Sequence, residues 1–189
     1  MRTEWIVAAV LSAVSIYGIF VFNRLVRQRN LVREGWSGID VQLRRRTDLV
    51  PNLVDTVKAY AAHERALYDD ITAKRTSSIA ALGIGEQAEA ERALAGSLGR
   101  LFAVAEAYPE LKANQNFLKL QEQLSEIEDQ LQFARRYYNG TARDLNIRVQ
   151  SLPDMLVAKP LGFKEADFFA LDDPAAVAVP RVALARTES

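Results

Sequence analysis

The residues whose types could do chemistry crowd into one stretch of the chain. Arg24, Arg27, Arg29 and Arg33 open it, Trp36, Asp40, the triplet Arg44-Arg45-Arg46 and Asp48 follow, and His63, the chain's one histidine, closes it. A metal centre is the first chemistry such a set suggests. Di-iron sites in helical proteins need inward glutamates and a Glu-x-x-His pair on each of two helices. Three residues before His63 stands Tyr60, not an acid, and one histidine allows no paired-histidine spacing, so only a carboxylate-only site stays open. A Ser-His-Asp system wants a strand-turn-helix nucleophile elbow, and none is present. The glycines of LGIGE are too few for a phosphate loop and follow no strand. With no cysteine, the chain has no thiol nucleophile, disulfide, cysteine-bound metal or lipidated cysteine. The expectation is a non-enzyme with no catalytic, cofactor-binding or metal-binding residues. His63, three after Tyr60 and four before Leu67, then reads as a hydrogen-bonded structural histidine flanking an apolar stripe.

The arginines allow a different chemistry. Arg24, Arg27, Arg29 and Arg33 follow an apolar run and lie within about 15 Å of its end on a continuous helix, where each basic residue adds about 1 kcal/mol of attraction to anionic lipid. The same charges also serve as a plain topology signal. Asp40 and Arg44 are spaced i,i+4, which makes them a shoulder ion pair. Lys+Arg and Asp+Glu balance at 24 each, so no broad basic field points to nucleic acid, and no small-molecule substrate is evident.

These residues must be positioned by helices. Trp5 to Asn23, WIVAAVLSAVSIYGIFVFN, is about 19 residues without a charge and covers roughly 28 Å as a helix, close to the hydrocarbon thickness of a bilayer. A cleaved signal peptide is the competing reading, but the run is long and Phe20, Val21, Phe22 and Asn23 make a poor cleavage site. Residues 1–23 therefore read as a transmembrane anchor. The arginine excess behind it places the remainder in the cytoplasm by the positive-inside rule.

Beyond the anchor, Leu25, Val32, Trp36, Ile39 and Leu43 form one helical stripe, and nothing at Asn23–Arg24 interrupts the rod. Asp48 can cap a new helix and Pro51 suits a first turn, so a reversal is expected at Thr47–Pro51. A second stripe runs Leu53, Val57, Tyr60, Leu67, Ile71, and a third helix from about Glu86 to Tyr108, ended by Pro109. Phe117, Leu120, Leu124, Ile127, Leu131, Ala134, Tyr138 and Leu145 make a sustained heptad seam. After Val149 a short helix is expected, stopped by Pro160, and 172–189 reads as a disordered tail. The fold class is all-α: a single-pass transmembrane helix continuing into an up-and-down antiparallel four-helix bundle over 24–171.

Three segments carry a resemblance. RNLVREGWSGIDVQLRRRTDLVPNLVDTVKAYAAHE, AYPELKANQNFLKLQEQLSEIEDQLQFARRYYNG and LVAKPLGFKEADFF are similar, in this order, to blocks of the LemA family, and together cover about Val21 to Leu171 apart from the 77–96 region. The resemblance implies a protein of the bacterial inner membrane with a four-helix up-and-down soluble domain behind one membrane helix and no known catalytic residues, and one branch of that family is associated with magnetosome membranes. Gly35 departs from the alanine expected before the tryptophan, at a cost of about 1 kcal/mol of helix stability. Pro160 is the other departure. The functional expectation is a scaffold, with the lipid bilayer and either further copies of itself or a membrane protein as partners. An anionic-lipid-binding or membrane-remodelling module acting through the four arginines is the alternative.

Overall fold

The computed structural model describes residues 2–170, which form six helices and no strand. Leu171 and the expected tail at 172–189 lie outside the described residues.

The first helix, α1, is one rod from Arg2 to Lys58. At about 1.5 Å per residue it is roughly 85 Å long. Between Arg2 and Phe20 its side chains are exposed except at Gly18; from Val21 onward it buries a stripe of Leu25, Val32, Ile39, Leu43, Val50, Leu53 and Val57. The apolar run is the one helical segment among the described residues long and apolar enough to cross a membrane. Burial begins at Val21, before the expected end of the anchor at 23.

The reversal expected at Thr47–Pro51 does not occur. Pro51 sits inside α1, and Asp48 is an exposed mid-helix residue, not a cap. An interior proline removes the N–H that would bond the carbonyl four residues back, here Thr47. That carbonyl is taken instead by Arg75 Nε at 2.7 Å, donated from the neighbouring helix. Burial of Leu53 and Val57 beyond the proline, continuing the stripe from Val50 before it, then favours carrying the helix on. The chain turns at 59–64, where Tyr68 donates its hydroxyl proton to the Ala61 carbonyl at 2.7 Å.

The remaining helices are α2 (Arg65–Ala80), α3 (Ile84–Glu106), the single turn α4 (Pro109–Lys112), α5 (Gln115–Gln150) and the single turn α6 (Met155–Ala158). Pro109 ends the third helix by starting α4, where its missing N–H is harmless. Asn114 starts α5: its side-chain oxygen accepts from the N–H groups of Asn116 at 2.9 Å and Phe117 at 3.1 Å.

Packing divides along the rod. Toward the Lys58 end, α1, α2, α3 and α5 share an apolar cluster that includes Val50, Val57, Ile71, Leu94, Leu101, Phe117 and Leu124. Toward the Val21 end, the second cluster is built mainly from α1 and α5, with Ala158 and Phe163 added from the chain's return. The two long helices approach closely where Gly35 faces Tyr138. A Cβ at residue 35 would lie 3.0 Å from the Tyr138 Cα. The glycine thus lets two backbones meet, which sets against its cost in helix propensity.

After α6 the chain runs extended back along α5 from Lys164 to Ala170 and is held there by two asparagines. Asn146 donates to the Ala166 carbonyl at 2.9 Å and accepts from its N–H at 2.7 Å. Asn139 does the same for Phe169, at 3.2 and 2.9 Å. Seven residues of helix and three of extended chain both span about 10 Å, so the two clamps are in step.

Candidate functional site

A buried polar layer separates the two apolar clusters. Arg46 follows Leu43 of one cluster and precedes Val50 of the other; Glu91 stands likewise between Ala88 and Leu94, and Glu128 between Leu124 and Leu131. Arg46 is 3% exposed and Glu91 0%. The Arg46 guanidinium reaches Glu91 Oε2 at 3.3 Å and Glu128 Oε1 at 3.1 Å. The other Glu91 oxygen accepts a short hydrogen bond from the Ser78 hydroxyl and one from Gln87 Nε2 at 3.2 Å. Gln87 also donates to the Ser78 carbonyl at 3.1 Å, which locks the last turn of α2 to the first of α3. Arg46 Nε is buried without a hydrogen-bond partner among the described residues. Burial pushes the Glu91 carboxyl above its ordinary value, opposed by the Ser78 hydroxyl and the Arg46 charge. Such a layer fixes the vertical register of the helices, because sliding any one of them would strand a charge in an apolar cluster.

A second, more open cluster ties α2 to α3. Asp70 Oδ2 accepts from Ser97 Oγ at 2.6 Å and Lys74 Nζ at 3.0 Å, and pairs closely with Arg100. The Ser97 hydrogen bond first, then Lys74, hold the Asp70 carboxyl below its ordinary range.

The residues singled out from the sequence scatter along α1 and do not converge. Arg24, Arg27, Arg29 and Arg33 are all exposed, and α-helical geometry spreads them around the rod as a collar. Arg29 lies over the Phe163 ring at 5.1 Å, whereas Arg24, Arg27 and Arg33 make no ion pair among the described residues. Trp36 is half-buried, with edge contacts to Tyr138 and Phe169 at 5.6 Å each. Asp40 and Arg44 form the expected shoulder pair at 3.0 Å, exposed enough to contribute only about 0.3–0.5 kcal/mol. His63 is displaced from the expected helix face: it sits exposed in the turn between α1 and α2, because the reversal falls there and not at Pro51. Among the described residues no three acidic or histidine side chains group as metal ligands would.

Arg46, Glu91 and Glu128 were not foreseen as a set. The signal was present in spacing: Arg46 stands three after Leu43 and four before Val50, on the buried stripe and not on its shoulder. The Asn139 and Asn146 clamps left no such trace, since two asparagines a heptad apart are ordinary until an extended partner is known.

A family model described as the LemA family matches residues 35–184. Three curated relatives align over most of the chain. Magnetosome protein MamQ 2 of Paramagnetospirillum magneticum is 28% identical, over 86% of this chain and 70% of its own length. Magnetosome protein MamQ of Magnetospirillum gryphiswaldense is 26% identical, over 78% of this chain and 64% of its own. Protein LemA of Metamycoplasma hominis is 26% identical, over 80% and 73% respectively.

Proposed function

The chain belongs to the LemA family, and from that premise we propose that it is a non-enzymatic, membrane-anchored scaffold that self-associates or recruits a membrane protein at the bacterial inner membrane. The observation that carries this reading is the continuity of α1: one helix without a flexible joint joins the exposed apolar run to both apolar clusters. A rod of this kind holds the soluble part at a fixed height and tilt relative to the span. In this reading Trp5 to Asn23 cross the bilayer, the arginine collar keeps the soluble part in the cytoplasm, and α1, α2, α3 and α5 act as an up-and-down four-helix bundle. Self-association has a matching surface on α5, where Phe133, Tyr137 and Ile147 fall on one face at heptad spacing and are 60%, 47% and 53% exposed. Two of the relatives are named magnetosome proteins, which agrees with a role in organising a cellular structure.

A photo-crosslinking residue placed at Tyr137 in the full chain, activated in native membranes, is expected to give a discrete adduct of dimer size or a defined heteromeric one. The adduct should disappear in Phe133→Ser. Only uncrosslinked monomer at every irradiation dose would end the scaffold reading.

Arg24, Arg27 and Arg33, exposed and without an ion pair among the described residues, favour a second reading, binding of anionic lipid. At about 1 kcal/mol each, replacing all three with glutamine should weaken retention of anionic lipid on the order of 100-fold. Lipid counting on protein drawn from mixed nanodiscs measures this, and an unchanged anionic share would show that the collar sets topology alone.

A further inference from the structure

The turn that joins α5 to the returning strap carries three leucines that no other described residue covers. Leu152 and Leu156 are 68% exposed and Leu161 is 55% exposed. The same turn is otherwise well anchored: Asp154, Ala158 and Phe163 are buried, and Asp154 pairs with Arg148 of α5 at 3.6 Å. A turn pinned this firmly could have placed polar residues on its outer side at no cost to the core. It places leucines there instead.

Where the turn lies decides what covers it. Gly35 of α1 faces Tyr138 of α5, and twelve residues on along each antiparallel helix this register sets Gln150, the last residue of α5, level with Asn23. Phe163 meets Phe22 edge-on, with ring centroids 5.9 Å apart, which fixes the far side of the turn at the same height. Asn23 is the last residue of the uncharged run. Residues 151–162 therefore sit beside the mouth of the apolar segment, where the exposed basic side chains Arg24, Arg27, Lys159 and Lys164 outnumber the exposed acid Glu165. Apolar side chains rimmed by lysine and arginine are what the headgroup layer of an anionic bilayer accepts.

We infer that the 151–162 turn is a second membrane contact, with Leu152, Leu156 and Leu161 seated in the interfacial layer of the bilayer beside the spanning helix. The inference rests on the reading of α1 as a membrane span. It adds to that reading a mechanical consequence. A single helix can tilt and rotate in a bilayer, whereas a helix plus a laterally displaced apolar foot defines a plane, so the soluble part is held at one tilt and one azimuth.

The absence of cysteine makes a clean test available. Single-cysteine variants Leu156→Cys and Leu161→Cys, in the full chain reconstituted in phosphatidylethanolamine–phosphatidylglycerol vesicles, are labelled with a nitroxide. Collision rates with oxygen, enriched in the bilayer, and with a water-soluble nickel chelate are then compared. Val10→Cys reports the span. Leu82→Cys reports an even barer leucine in water: it is 97% exposed, at the level of Asp40 and Leu43, roughly 25–30 Å further along α1 than Asn23. The expected result is an oxygen-to-nickel ratio at 156 and 161 several-fold above that at 82 and below that at 10. A ratio at 156 and 161 equal to that at 82, with 10 still oxygen-rich, overturns the inference and leaves the span standing. Nickel-rich collisions at all four positions overturn both. Labels at 156 and 161 shielded from both reagents, or broadened by a neighbouring label, mean that a protein covers the leucines, and this also overturns it.

Discussion

Arg46→Met is expected to lower the stability of the soluble part by about 3–5 kcal/mol, the range found when one partner of a buried ion pair is removed. The reason is what remains behind. Glu91, fully buried, keeps its hydrogen bonds from Ser78 and Gln87 but loses its one counter-charge. Glu128, 40% exposed on its side chain, can turn to water, so the loss falls on Glu91. Adding Glu91→Leu should return most of the lost stability, since an apolar pair of similar volume removes the charge that could not be solvated. Pulse proteolysis of the detergent-solubilised full chain across a urea series would measure both variants. A cost under about 1 kcal/mol for Arg46→Met would show that the layer is solvated and sets no register.

The same layer gives a pH dependence with a definite sign. The Glu91 carboxyl is raised in the folded state above its ordinary value of 4.5, so the folded protein holds its proton more tightly than the unfolded chain. That contribution to stability is fully present below about pH 4.5 and is lost as pH rises through the folded value. In Arg46→Met the folded value rises further, because the charge that opposed burial is gone. The deficit of that variant against the parent protein should therefore grow from mildly acid toward neutral pH. Asp70 acts in the opposite sense: its lowered carboxyl contributes above about pH 3.8, its ordinary value, and that contribution fades as pH falls through the folded one. A deficit that is flat with pH would point to lost packing of the arginine stem and not to an uncompensated carboxylate.

How much of this could be read from the sequence depended on whether the signal was local. The α5 seam from Phe117 to Leu145 and the apolar stripe of α1 were legible because periodic burial writes itself into consecutive residues. The Asp48–Pro51 stop was misread for the complementary reason. Every local sign of a helix start was present, and what overrode it came from Arg75, whose Nε takes the carbonyl that Pro51 leaves free. The misplaced reversal then carried His63 from a helix face into a turn. Arg46 was hidden in a run of three arginines of which Arg44 and Arg45 face water, so its type suggested the shoulder while its spacing placed it inside. The collar at Arg24, Arg27, Arg29 and Arg33 was legible as exposed charge, but the stacking of Arg29 on Phe163 was not, since it joins residues far apart in sequence.

The largest structural effect outside the polar layer is expected from Phe169→Ala. Phe169 is fully buried, touches the Trp36 ring edge-on, and is the last strong apolar anchor of the strap. Truncating a buried phenylalanine costs about 3–5 kcal/mol. Here that loss competes with local release, because the strap is held to α5 by the Asn139 and Asn146 clamps and by the hydroxyl of Tyr138, which donates to the Asp167 carbonyl at 2.7 Å. Each such bond contributes about 0.5–1.5 kcal/mol, and the clamps are in register only while the strap stays extended. Once the anchor is gone, the outer clamp at Asn139 should open first, and the inner one at Asn146 should persist, since Ala166 lies three residues nearer the buried Phe163. Two readouts separate release from general loosening. In a Trp5→Phe background, Trp36 emission should shift to the red and become quenchable by iodide, as its Phe169 face opens to water. Amide exchange should accelerate at Phe169 far more than at Ala166, with α2 and α3 unchanged. Acceleration spread evenly through α2 and α3 would mean that the strap folds as one unit with the distal helices, and the view of it as a separately clamped segment would fail.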